Sequence, residues 1–118
     1  MNVQDLKPNQ KKIELIVKVE DINESREVTA QNDGMFHQVA DVLCGDETGC
    51  VYLSVWDEII KEIEKYKYYK ITNAYTSVFR NALVLNLGKY GKIEKTDETF
   101  GINTSNNISL REFTEKWP

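Results

Sequence analysis

The chain has 118 residues, 41% of them hydrophobic and 29% charged, which suits one domain with a packed core and excludes a disordered chain, since domains cluster at roughly 100 to 150 residues. No apolar run approaches the roughly 20 residues of a membrane helix, and the opening MNVQDLKPNQKK lacks the apolar stretch of a signal peptide, so a soluble, intracellular protein is expected. The net charge of −4 argues against a broad basic face for nucleic acid without closing the case, because charges reach only about 8 Å at physiological salt and a local groove can be basic on an acidic protein.

In chain order, Ile13 to Val19 (IELIVKV) sets Ile13, Leu15, Val17 and Val19 on one face at period two, the pattern of a half-buried strand. Asn23 to Gly34 is polar and ends in Asn32-Asp33-Gly34, which predicts a projecting loop. A second strand is predicted over 37–44. The segment Gly45-Asp46-Glu47-Thr48-Gly49 then reads as a tight hairpin turn, with Gly49 placed for a left-handed conformation.

The third predicted strand, VYLSVW (51–56), puts Val51, Leu53 and Val55 on one face and Tyr52, Ser54 and Trp56 on the other. A Trp opposite the aliphatic stripe calls for an explanation beyond core packing. DEIIKEIEKYK (57–67) places Ile59, Ile60, Ile63 and Tyr66 at helical spacing, with acids early and lysines late as the helix dipole favours, so a short helix is predicted. A fourth strand is predicted over 68–75, a short hairpin loop over TSVFRN, and a fifth strand over 82–88 with Leu83, Leu85 and Leu87 in phase.

Five strands with a helix between the third and fourth is the element order of an OB-fold, a partly open all-β Greek-key barrel. The organisation expected is a domain over 1–95 and a C-terminal extension over 96–118, partly ordered or partner-binding, whose apolar residues are Ile108, Leu110, Phe113 and Trp117.

Three blocks in this order, DLKPN (5–9), GDETG with VYLSVWD behind it, and NAYTSVFRNALVLNLG (73–88), carry a resemblance over residues 4–95. The chain resembles the short single-OB single-stranded DNA-binding proteins of archaea and the related eukaryotic B subunit of the sensor of single-stranded DNA complex. The resemblance implies sequence-nonspecific binding of single-stranded DNA in replication, repair or recombination, in the nucleus of a eukaryote or the cytoplasm and nucleoid of an archaeon. It further implies that the aromatics matching the family's base-stacking positions, Trp56, Tyr75 and Phe79, stack on bases. Stacking suits nonspecific recognition because every base has a π-face, at about 1–3 kcal/mol each.

Phosphate contacts are expected from Arg26 in the first loop, Arg80 beside Phe79, and Lys89 and Lys92 after the fifth strand. Two to four such contacts predict a salt slope of about −1.4 to −2.8, at roughly 0.7 per charge on single strands. The sequence departs from its relatives at His37 and Gln38, where they tend to carry Arg or Lys; this weakens the electrostatic attraction and introduces pH sensitivity. Archaeal relatives also tend to continue into a long Gly-rich or acidic tail, whereas this sequence stops at Pro118.

Structural readings compete for the same residues. Trp56 can cap one end of the barrel, and strict alternation puts Tyr75 in phase with Ile71 and Asn73 unless a bulge intervenes. Cys44 and Cys50 flank the turn as candidate cross-strand neighbours, with packing as their expected role. Glu58, Glu62 and Glu64 read as a solvated helix face. No nucleophile with a paired base, phosphate-binding glycine loop or metal-ligand spacing is visible, so neither an enzyme nor a cofactor is expected. The expected partner is single-stranded DNA, with no membrane and no small-molecule substrate. Two alternatives are an OB-fold adaptor that contacts proteins of a genome-maintenance complex and an RNA-binding OB domain.

Overall fold

The aliphatic alternation of the strands closes them into a barrel around one core. The structure is a computed structural model that describes residues 1–88 and 90–110. Strands β1 (Ile13–Ile22), β2 (Arg26–Thr29), β3 (Phe36–Asp46), β4 (Gly49–Trp56), β5 (Tyr68–Phe79), β6 (Ala82–Asn86) and β7 (Lys92–Lys95) follow in chain order. The ring runs β1-β3-β4-β6-β5 and closes through β1–β5, with β4 and β6 parallel and the other pairs antiparallel. Short β2 extends the edge of β3, and β7 extends β5. This is the expected five-stranded OB barrel with two added short strands. No helix of the described residues is long and apolar enough to cross a membrane.

Closure depends on β1 serving two partners: residues 13–18 pair with β5 and residues 18–22 with β3, with a register shift between Val19 and Asp21 where the strand bends. Val17, Val19, Leu53, Val55, Ile71, Leu83 and Leu85 all reach zero exposure inside. Each such side chain contributes about 1.5–3 kcal/mol by leaving water.

The GDETG turn holds three segments together. Asp46 accepts from Thr48 N–H at 2.9 Å and from Val3 N–H at 3.0 Å, and its carbonyl accepts from Asn103 N–H at 2.9 Å. Gly49 is not left-handed, contrary to the sequence expectation. Its missing side chain instead admits Asn106, whose carbonyl oxygen would lie 2.8 Å from a Cβ at that position. Residues beyond 95 lie on the barrel accordingly: Ile108 joins the core, and Ser109 Oγ donates to the Leu83 carbonyl at 2.5 Å while accepting from Tyr52 N–H at 2.9 Å. Phe113 and Trp117 lie outside the described residues.

The polar segment 23–34 is not all loop, since β2 forms within it by pairing Arg26 with Val39 and Val28 with His37. The predicted helix over 57–67 shortens to a 3-10 helix, Asp57–Glu62. Tyr66 turns left-handed, and its N–H and the Lys67 carbonyl bond to Val19 of β1 at 2.7 and 2.9 Å. Those tertiary bonds outcompete a helix too short to be stable on its own. The hairpin after β5 is likewise tighter than TSVFRN suggested, because the strand runs to Phe79 and only Arg80 and Asn81, both at positive φ, make the turn.

Cys44 faces the core opposite Val51, whereas Cys50 pairs with Gly45 and lies under the 104–107 segment. The offset by one residue puts the thiols on opposite faces of the sheet, so they are not cross-strand neighbours. Burial pushes the Cys44 thiol up to about 12, which leaves it unreactive.

Candidate nucleic-acid interface

Register decides which side chains share the outer face. Across β2, β3 and β4 one row runs Arg26, Val39, Trp56; across β3, β4, β6 and β5 the next runs Asp41, Ser54, Asn86, Tyr75, and a third runs Leu43, Tyr52, Val84, Ser77. Phe79, opposite Ala82, continues the Tyr75-Ser77 face of β5. Trp56 and Tyr75 are each 41% exposed and Phe79 is 61% exposed. The structure thus brings the three predicted aromatics together on one face, outside the core.

Tyr75 reaches that face through a bulge. Ile13 pairs with Ala74 and Leu15 with Ile71, so β5 spends three residues where β1 spends two, and Asn73 takes a left-handed φ of 54° at the extra position. The inward set therefore switches from Tyr69 and Ile71 to Ala74 and Thr76, and Tyr75 turns outward. Its ring then lies against Gly88, where a Cβ would come within 2.8 Å of Cε1.

The rings divide the face into connected clefts. One, of about 720 Å³, lies between Phe79 and Trp56 and is bordered by Arg26, Asp41 and Leu110. A second, of about 440 Å³, lies between Trp56 and Tyr75 and is bordered by His37, Asp33 and Asp57. Trp56 borders both.

Of the predicted cations, Arg26 borders the groove, but its Nη1 is held 3.1 Å from Asp41 Oδ2. Arg80 sits at the β5–β6 turn with its guanidinium 5.1 Å from the Phe79 ring centroid, a cation–π contact at the end of the aromatic row. Lys92 lies on β7 opposite Thr72, set back from the groove. Lys89 lies outside the described residues.

His37 does more than replace a cation. Its Nδ1 lies 2.6 Å from Asp57 Oδ2 and its Nε2 2.9 Å from Asp33 Oδ2. Both nitrogens can donate only when the ring is protonated. The hydrogen bond to Asp57 and then that to Asp33 hold the imidazole above its ordinary value. Asp57 is held low first by His37 and then by the Gln38 N–H it accepts at 2.9 Å; Asp33 is held low first by the Met35 N–H and then by His37. This clamp ties the β2–β3 loop to the chain immediately after Trp56.

The sequence put Tyr52 on the Trp56 face without giving it a role and left Val84 and Asn86 of the groove floor unnamed, although the inward phase of Leu83, Leu85 and Leu87 implied that the residues between them face out. The clamp left no such signal, because Asp33, His37 and Asp57 meet only through tertiary structure. No set of three or more His, Cys, Asp or Glu side chains among the described residues could hold a metal ion.

A family model described as Ssb-like single-stranded DNA-binding protein, OB fold, matches residues 6–95. The single-stranded DNA-binding protein Ssb of Saccharolobus solfataricus is 32% identical over 96 residues, covering 81% of this chain and 64% of that protein. The chain spans less than two thirds of the length of the curated relatives it matches. In structure it is similar to a hypothetical protein of Arabidopsis thaliana, with a TM-score of 0.81 at 25% identity over 98% of this chain and 86% of that one. A replication factor A related protein of Methanobacterium thermoautotrophicum shares the fold, with a TM-score of 0.68 at 20% identity over 82% of this chain and 90% of that one.

Proposed function

The chain belongs to the Ssb-like family of OB-fold single-stranded DNA-binding proteins, and from that premise we propose that it coats single-stranded DNA without reading sequence, stacking bases on Trp56, Tyr75 and Phe79. The observation that carries this reading is the exposure of all three rings on one face while the strands bearing them bury their aliphatic residues behind it. Three stacked bases at about 1–3 kcal/mol each supply a useful affinity without a strongly basic groove. Arg26 and Arg80 hold phosphates beside the rings, so salt dependence is shallow. Bound DNA is then shielded from nucleases and from re-pairing during replication, repair or recombination.

The test is tryptophan fluorescence in a Trp117→Phe background, titrated with oligo-dT, the matching RNA and duplex DNA at two salt concentrations. Quenching by oligo-dT that disappears in Trp56→Ala supports stacking. An absence of any response to oligo-dT up to high micromolar overturns it, and a clear preference for RNA moves the reading to RNA, where the 2′-hydroxyl is recognised.

A second reading, an adaptor that contacts another protein, draws on Met35 and Phe36, which are 63% and 73% exposed on the β2–β3 hairpin. Phe36 alternates with His37 and so points away from the groove. A Met35→Ser/Phe36→Ser variant that keeps oligo-dT binding separates the two roles.

A further inference from the structure

Beyond Tyr75 the groove continues into a third cleft, of about 410 Å³, bordered by Lys11, Lys12, Asn73, Leu87, Gly88 and Tyr90. It shares Tyr75, Leu87 and Gly88 with the cleft that runs back to Trp56. The clefts between Phe79 and Tyr75 carry Asp41, Asp33 and Asp57, whereas among the described residues this one is bordered by two lysines and no carboxylate. Lys11 and Lys12 also border a cleft on their far side, where Glu14, Asp46 and Glu47 repel an anion. A phosphate is therefore favoured on the Tyr75 side.

The lysines are positioned rather than adventitiously near. The lead-in segment is sutured to Thr76, the residue after Tyr75: Thr76 N–H donates to the Gln10 carbonyl at 3.0 Å, Gln10 N–H donates to Thr76 Oγ1 at 2.9 Å, and Thr76 Oγ1 donates to the Lys7 carbonyl at 2.5 Å. Lys12 then takes a left-handed φ of 54° as the chain turns into β1. Across the cleft Tyr90 is 71% exposed, and its carbonyl accepts from Asn73 Nδ2, the bulge residue that turned Tyr75 outward.

We propose that this cleft is a fourth nucleotide subsite, in which Tyr90 stacks a base and Lys11 and Lys12 hold the phosphates that follow Tyr75. The inference rests on the single-stranded DNA reading above. It sets the direction of the bound strand's path, from Phe79 past Trp56 and Tyr75 to the lead-in segment. It also moves the main electrostatic contact away from the acid-flanked arginine and onto two lysines that no composition argument singled out.

The experiment compares oligo-dT of about four nucleotides with oligo-dT of about eight, within the range an OB-fold covers. The proteins are the full chain, Tyr90→Ala, Lys11→Ala/Lys12→Ala and Trp56→Ala, each with its urea midpoint measured. Tyr90→Ala is expected to weaken the longer ligand about tenfold and the shorter one little. The lysine pair is expected to lower the salt slope for the longer ligand by about 1.4, two phosphates at roughly 0.7 each. A 5-iododeoxyuridine at one end of the longer ligand, and not at the other, should photo-cross-link to Tyr90. If the full chain binds and Trp56→Ala abolishes binding while the Tyr90 and lysine variants match it at both lengths, the subsite is wrong and the stacking reading stands. If the full chain binds neither length, the underlying reading has failed first.

Discussion

The His37 imidazole meets the Trp56 indole edge-on, with ring centroids 5.4 Å apart and planes at 61°. The same imidazole is gripped by Asp33 and Asp57, whose hydrogen bonds hold it above its ordinary value, so a titratable group lies against the central aromatic.

The first prediction concerns pH. Because His37 is raised above 6.5 in the folded state, its contribution to stability is complete below pH 6.5 and is lost as pH rises through the folded value. Asp33 and Asp57 are lowered from 3.8, so theirs is present above pH 3.8 and lost as pH falls through the folded values. Urea midpoints should therefore fall from pH 6 to pH 8.5 in the wild type and change less in His37→Gln. Oligo-dT binding should weaken over the same interval as the groove loses the His37 proton, and this slope should flatten in the variant. Identical pH profiles for the two proteins would show that the clamp has no energetic role.

A second prediction follows from the ion pair at the groove edge. Asp41→Asn removes the carboxylate that occupies Arg26 and costs less than about 1 kcal/mol of stability, since the pair is half-exposed. Oligo-dT affinity should rise severalfold at low salt, with the gain shrinking as salt is added. Unchanged affinity across the salt series would mean Arg26 does not meet the backbone.

Gly88 tests how Tyr75 is held. Gly88→Ala must adopt a φ of +70° and place Cβ 2.8 Å from the Tyr75 ring. The backbone strain costs about 1–2 kcal/mol, and displacement of the ring adds a loss of oligo-dT affinity. In a Tyr75→Ala background the affinity loss should vanish while the stability loss remains. A Gly88→Ala protein that binds like the wild type would show that the ring's seat is unimportant.

Ser109→Ala probes the docking of the chain beyond the barrel. Its hydroxyl bridges β4 and β6, accepting from Tyr52 N–H and donating to the Leu83 carbonyl, so removal leaves that donor unpaired between the strands at a cost of about 1–3 kcal/mol. The thermal midpoint should drop by several degrees with oligo-dT affinity at low temperature nearly intact. An unchanged midpoint would indicate that water replaces the hydroxyl.

The groove also shows why phase information in a sequence is local. Alternation in 51–56 placed Trp56 outward correctly because β4 has no bulge, and every inward residue could be counted from Val51. The same counting left Tyr75 in phase with Ile71, since the extra residue at Asn73 is visible only in the pairing of β5 with β1. Arg26 and His37 were legible as groove residues, but their carboxylates were not: Asp41 is reached across β2–β3 pairing and Asp57 across β3–β4 pairing.

By itself, then, the sequence determined the barrel class, the inward stripe of each long strand, the GDETG hairpin and the outward phase of Trp56. Those features follow from a side-chain period of two with one face buried, a constraint that each strand satisfies alone. Only the tertiary structure decided that Tyr75 turns outward, that 66–67 joins β1 rather than a helix, that Gly49 makes room for Asn106, and that Lys7 to Lys12 is sutured beside Tyr75. Each of those depends on hydrogen bonds or close approach between residues far apart in the chain, whose partners no local pattern names.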